Sequence, residues 1–306
     1  MARLAASSAG AADRTIGLLF DARSAYDVKV LRGVAAYLGE HGHLTVTLDD
    51  DAAARRTAVL DSPRVHGIIA DLNHPAMSRL AGASRVPVVG VGVGGITAAL
   101  TTRVPSFRAN NVQIGDLAAD HLLAAGIASF AFCGYAAPTS AAWSDERERA
   151  FVSRVGARGF ATAVLHLPAS PHDLDRSMDR LETWLRGLPK PVGIMAAHDA
   201  LGRRLLHACR VLRLGVPDEV AVVGVDNDDL QCHLCHPALS SIEQGAVRLG
   251  YSAAQLLDGI LGGAPVDARP HLVSPVSVIA RRSSAATVDD PEVARVLSFI
   301  AEHVPY

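Results

Sequence analysis

From Arg14 onward, short apolar runs alternate with longer stretches in which apolar residues recur every three or four positions. Thr15-Ile-Gly-Leu-Leu-Phe20 reads as a strand that stops at Asp21. After a short loop, Val28, Val30, Leu31, Val34, Ala35 and Leu38 fall at helical spacing and predict a helix over 26–41. Strands follow at 44–48, 67–70 and 87–90, so the first four β-α repeats are complete near residue 90. The pattern is irregular over 101–110 and then resumes. Helices are predicted over 111–125, 144–158, 174–188 and from about 199 to 212, with strands at 129–133, 162–166, 191–196 and 220–225. Shorter pieces close the series: strand 238–242, helix 244–261 and the apolar stretch 272–279. Strand-helix alternation of this kind predicts α/β sheets. Two sets of similar size with no Gly/Ser or Pro linker between them predict two Rossmann-like, doubly wound subdomains packed around a cleft.

Val220-Ala-Val-Val-Gly-Val225 is continuously apolar and rich in β-branched residues, as a strand covered on both faces should be. It stops at Asp226, Asn227, Asp228 and Asp229. Ligands of open α/β sheets sit beyond the carboxyl ends of the strands. A solvated acidic turn explains this stretch equally well by itself. The balance shifts because Asp21, Asp71 and Asp199 also lie at or just after predicted strand ends. Tyr26 and Asp27 are close to the first of these, Asn110 and Asn111 sit where the chain passes between the two sets, and Trp143 precedes Arg147 by four residues. Such a collection suits a neutral polyol. Carboxylates accept from hydroxyls, an Arg fork donates, an aromatic face covers a sugar's C–H side, and each hydrogen bond to a charged group contributes about 1.5–3 kcal/mol.

The 306 residues suffice for one large α/β domain or two lobes. A net charge of −2 argues against a large non-specific nucleic-acid surface. Residues 1–13 have no apolar signal-peptide core and read as a disordered leader; no apolar run is long enough for a bilayer. Four cysteines make no disulfide framework, so a cytoplasmic protein is expected. Asp49 to Asp51 suit a helix N-terminus. Gly90-Val-Gly92-Val-Gly94-Gly95 has the spacing of a dinucleotide fingerprint but follows the fourth strand and precedes no long helix, so no nucleotide is assigned to it. Cys232-His-Leu-Cys235-His236 matches a haem-attachment spacing, yet covalent haem needs export, and no second ligand pair supports zinc. No cofactor, metal or catalytic residue is predicted.

The stretches VAVVGVDNDD (220–229), HPALSSIEQ (236–244), GIMAAHDALG (193–202) and PVSVIARRSS (275–284) together resemble the effector-binding core of LacI/GalR-type regulators, whose fold is that of type I periplasmic sugar-binding proteins. The likeness runs from about Arg14 to Ser284. LLFDARSAYDVKVLRGVAAYL (18–38), WSDERERAF (143–151) and QGAVRLGYSAAQLL (244–257) are similar to the xylose-responsive branch, in which an AraC-type DNA-binding domain follows the core. DDPEVARVLSFIAEHV (289–304) resembles the first helix of that domain. The resemblance implies a hinged sensor with lobe 1 at about 14–107 and 244–271, lobe 2 at about 108–243 and 272–284, and a linker with a C-terminal helix over 285–306. It implies a sugar, first of all a neutral pentose such as D-xylose, held by Asp21, Tyr26, Asp27, Asn111, Trp143, Arg147, Asp199 and Asp226. His198 departs from the small or amide residue usual beside that Asp. A homodimer, no membrane, and operator DNA contacted only through the C-terminal domain complete the expectation. The alternatives are an enzyme acting on a sugar or nucleotide, and a sensor for another small ligand.

Overall fold

The computed structural model describes residues 14–49, 62–92, 104–135, 142–168 and 174–285. In chain order its elements begin with β1 (Arg14–Leu19), α1 (Ala25–His41), β2 (Leu44–Asp49), β3 (Val65–Asp71), α2 (Pro75–Ala83), β4 (Val88–Val91) and β5 (Ser106–Ala109). Then come α3 (Asn111–Ala124), β6 (Phe130–Tyr135), α4 (Ala142–Gly156), β7 (Thr162–Leu167), α5 (Leu174–Gly187), β8 (Val192–Ala196), α6 (Asp199–Val211) and β9 (Val220–Val225). The series ends with α7 (Asp229–His233), β10 (Ser240–Glu243), α8 (Ala246–Leu261), β11 (Pro270–Val273) and β12 (Ser277–Ile279). The expected C-terminal helix, the leader and Asp50–Asp51 lie outside the described residues, as do the glycines at 94 and 95.

The chain divides into two compact units. Unit 1 takes Met1–Gln113, Ala137–Glu146 and Gln244–Val276; unit 2 takes Ile114–Ala136, Arg147–Glu243 and Ser277–Tyr306. Unit 1 holds a six-stranded sheet in the order β11-β5-β4-β3-β1-β2, with every pairing parallel. Side chains of a strand alternate between faces, so β1 feeds two cores. Ile16 and Leu18 pack with Val30, Val34, Leu249 and Leu257 on one face. Leu19 packs with Ile68, Leu72 and Met77 on the other. On the first face α1 and α8 cross at a pair of glycines. A Cβ on Gly33 would strike the Val247 carbonyl, and one on Gly250 would strike the Val30 carbonyl.

Unit 2 holds the second six-stranded sheet, ordered β12-β10-β9-β8-β6-β7 and parallel except where β12 runs against β10. As its uninterrupted apolar run requires, β9 is buried along its whole length. The expected fold class is thus present: two parallel-rich, doubly wound α/β sheets.

Two sequence expectations are corrected. The stretch 101–110 contains a strand, β5, because Ser106–Ala109 is paired on both sides, by β4 and β11. Its four residues are too short and too polar at Arg108 for periodicity to mark them. The apolar stretch 272–279 divides around Pro275: β11 joins the unit 1 sheet and β12 the unit 2 sheet.

Candidate functional site

In each unit the polar side chains of interest gather at the carboxyl edge of the sheet. In unit 1, Ser24 caps α1 by accepting the Asp27 N–H at 3.3 Å, which places Tyr26 and Asp27 in the first turn. Tyr26 leans on the apolar cluster of α1 and α8. The Asp27 carboxylate turns back to accept the Asp21 N–H at 2.8 Å. Asp27 is 1% exposed, and burial, followed by the negative charge of nearby Asp71, raises its pKa. Asp71, at the end of β3, is buried too, and desolvation raises it against the N–H of Asn73, which it accepts at 2.9 Å. Asp21 behaves differently. Arg23 grips both its oxygens at 2.8 and 3.0 Å and holds its carboxyl below the usual range. Unit 1 therefore brings Asp21, Asp27 and Asp71 together, with Asp27 and Asp71 as a desolvated pair.

Asn111 opens α3, and its Nδ2 donates to Glu146 at 2.8 Å. Arg108 donates to the other oxygen of Glu146 at 3.3 Å. Trp143 is half-buried in the first turn of α4, on the same stretch as Glu146.

In unit 2 the row runs across the ends of β6, β8 and β9. Arg147 is buried, and its Nη1 donates to the carbonyl of Ala197 at 2.6 Å, just after β8. It belongs to a part of α4 that lies close on α3, since a Cβ on Gly115 would strike Ala150 and the Arg147 carbonyl. Asp199 is 1% exposed and fully engaged: its oxygens accept from the hydroxyl of Ser241 at 2.5 Å, the N–H of Asp228 at 2.8 Å and the thiol of Cys232 at 3.4 Å. Burial, and then the charge of Asp226, raises its pKa. Asp199 thus ties down the turn that carries Asp226. Gly224 lies so close that any Cβ there would strike the Asp199 carboxylate.

That turn is strained, with φ of 111° at Asp226 and 48° at Asn227. It is over-determined by its bonds. The Asn227 N–H donates to Ser241 at 2.9 Å, and Arg281 donates to Asn227 Oδ1 at 2.7 Å and to the Leu239 carbonyl at 3.0 Å. The half-buried Asp226 follows β9 directly. His198, which caps α6, and Tyr135, which ends β6, complete the row.

The eight expected residues thus fall into sets. Asp21, Tyr26 and Asp27 share one end of the unit 1 sheet; Arg147, Asp199 and Asp226 share one end of the unit 2 sheet; Asn111 and Trp143 flank Glu146. Sequence reasoning did not propose Glu146, Tyr135, Ser241 or Arg281, and it left Asp71 out of the ligand set. Only Asp71 had a sequence signal, its place at a strand end. No cluster of three His, Cys, Asp or Glu among the described residues could hold a metal ion. Cys232 and Cys235 are buried thiols that donate to Asp199 and to the Gln231 carbonyl. No described helix is long and apolar enough to cross a membrane.

Comparison with known proteins adds to this geometry. The XylR N-terminal domain family matches residues 15–111, and the periplasmic binding protein-like domain family matches residues 119–284. The chain is 32% identical to the xylose operon regulatory protein of Haemophilus influenzae, over 93% of this chain and 74% of that one. It is 34% identical to the Escherichia coli K12 protein of the same name, over 94% and 74%. Among solved structures, the xylose-binding transcription activator xylR superposes with a TM-score of 0.79 at 32% identity, covering 94% of this chain and 73% of that chain. A LacI-type regulator from Alkaliphilus metalliredigens, complexed with D-xylulofuranose, shares the fold with a TM-score of 0.71 at 21% identity, over 89% of this chain and 100% of that chain.

Proposed function

The chain belongs to the family of xylose operon regulatory proteins, and on that premise we propose that it is the ligand-sensing part of a sugar-responsive transcription regulator whose effector is a neutral pentose, D-xylose first. The observation that carries this reading is the chemistry of the two carboxyl edges. Asp27 and Asp71 in unit 1 and Asp226 in unit 2 are acceptors suited to sugar hydroxyls, and Arg147 is a buried donor beside Asp226's turn. A sugar hydroxyl can donate to the first kind and accept from the second. Asp21 and Tyr26 fix the unit 1 loop, Asp199 acts through the turn it ties down, and Asn111 and Trp143 lie in unit 1 with Glu146. A sugar phosphate fits worse, because a dianion would have to be placed among the acidic side chains of both edges.

Signalling follows from linkage: a bound sugar shifts the balance between arrangements of the units only by its preference for one of them. The output passes to operator DNA through an AraC-type domain beyond the core, in a homodimer. The protein binds its sugar and does not transform it. Calorimetric titration with D-xylose, L-arabinose, D-ribose and D-glucose is the test, with chromatography of the recovered sugar. Saturable heat for D-xylose and unchanged sugar are expected. Flat traces for every sugar would overturn the sensor reading, and a converted sugar would make the protein an enzyme.

A further inference from the structure

Beyond β12, residues 281–285 are stitched to the sheet of unit 2, although they form no strand of it. The Ser283 N–H donates to the Ala238 carbonyl at 3.0 Å, and the Ser283 carbonyl accepts the Val222 N–H at 2.8 Å. The Ser283 hydroxyl bridges the Ser240 N–H at 2.8 Å and the Val222 carbonyl at 2.6 Å. Ser284 meets His121 of α3 at 2.7 Å. Both serines are buried. A polar segment is thus sunk into the core and satisfied bond by bond. Ser240 and Ser241 are consecutive in β10, and consecutive strand residues face opposite sides of a sheet. Ser240 holds the segment, accepting the Arg281 N–H at 2.7 Å and donating to the Arg281 carbonyl at 2.8 Å. Ser241 holds the Asp226 turn, accepting the Asn227 N–H at 2.9 Å and donating to Asp199.

Arg281 joins the two. Its Nη2 donates to Asn227 Oδ1 at 2.7 Å and its Nη1 to the Leu239 carbonyl at 3.0 Å, so one planar guanidinium reaches the turn from the closing segment. The turn is the element with an alternative arrangement. Left-handed φ at Asp226 and Asn227 costs free energy and persists only while surrounding bonds over-determine it. A ligand bonded to Asp226 in this arrangement favours it over a relaxed one, and so favours every bond that holds it. Linkage makes the effect reciprocal. Resting on the pentose-binding reading, we infer that Arg281 is a positioning residue that couples the sugar site to residues 281–285. Sugar on Asp226 fixes the Asn227 turn, the turn fixes the Arg281 guanidinium, and Arg281 fixes the segment that continues toward the proposed DNA-binding domain. Arg281 touches no sugar; it acts through Asn227.

Hydrogen–deuterium exchange of the whole chain, with and without saturating D-xylose, tests the coupling. In wild type the sugar should slow exchange of the amides at 281–285 about 5-fold or more. Helix α5, which shares no described hydrogen bond with the turn or the segment, should keep its rate. Two variants cut the same bond from either side. Arg281→Met keeps the aliphatic stem and loses both donations; Asn227→Gly keeps the positive φ and loses the acceptor. Each is measured at a sugar concentration that saturates that variant. In both, the sugar should still bind, with reduced affinity, and the slowing at 281–285 should disappear. If one variant fails to fold, the other decides. Wild type that gives heat with D-xylose but no slowing at 281–285, or equal slowing in α5, would overturn the coupling. So would variants that keep the full slowing. Wild type that binds no sugar in calorimetry would instead overturn the pentose reading on which the coupling depends.

Discussion

A carboxylate buried without a cation must either lose its charge or borrow hydrogen bonds, and Asp27 does both. Desolvation, then the charge of Asp71, raises its pKa, while the Asp21 N–H partly offsets this. A group whose folded pKa is raised contributes stability that is fully present below its unfolded value, about 3.9, and is lost as pH rises through the folded value. Asp199, raised by burial and Asp226, acts in the same direction. So does His43, raised by its bond to Asp258, which contributes below about 6.5. Buried His198 and His121, lowered by desolvation, act the opposite way below about 6.5. The melting temperature is therefore expected to fall from about pH 6.5 to about pH 8, and Asp27→Asn should flatten part of that fall. An unchanged slope in the variant would mean that Asp27 is ionised throughout. Asp226 has the opposite character. It is only half-buried and stands on a strained turn held by other residues. Asp226→Asn should cost at least tenfold in D-xylose affinity, since bonds to charged groups contribute about 1.5–3 kcal/mol. Its melting temperature without sugar should stay within a few degrees of wild type, and a large drop would make Asp226 structural. Asp226 could be singled out from sequence because it ends an unmistakable strand. Glu146 and Tyr135 could not, because nothing along the chain reveals that Asn111 meets Glu146 or that Tyr135 meets His198.

Helices and strands set the next scale. The crossing of α1 and α8 depends on Gly33 and Gly250, each facing the other helix's backbone. Gly250→Ala forces the helices apart and should destabilise unit 1 by about 1–3 kcal/mol, a melting shift of several degrees. A wild-type melting curve would show that the crossing relaxes at little cost. In unit 2, the segment after β12 is stitched along β9 and β10. Ser283 donates to the Val222 carbonyl at 2.6 Å, the Ser240 hydroxyl donates to the Arg281 carbonyl at 2.8 Å, and the Arg281 guanidinium reaches Asn227. Arg281→Ala should therefore weaken sugar binding several-fold by loosening the Asp226 turn, although residue 281 belongs to the closing segment; unaltered affinity would show that the turn holds its shape without Arg281. Most elements were legible in the sequence to within two residues. β5 was not, because it is only four residues long and one of its two partners, β11, lies more than 150 residues later in the chain.

For the molecule as a whole, ligand binding should appear as stability. D-Xylose at a hundredfold excess over its dissociation constant should add about 2.7 kcal/mol and raise the melting temperature measurably, while a sugar that gives no heat in calorimetry should leave it unchanged. The sequence by itself determined the α/β class, the order of nearly all strands and helices, and the acids at the strand ends, because these follow from periodicity and composition within a few residues. Only the tertiary structure decided that Asp27 is paired with Asp71, that Asp199 is spent on the Asp226 turn, and that His198 meets Tyr135. Burial and hydrogen-bond direction arise between residues tens of positions apart, where local pattern carries no information.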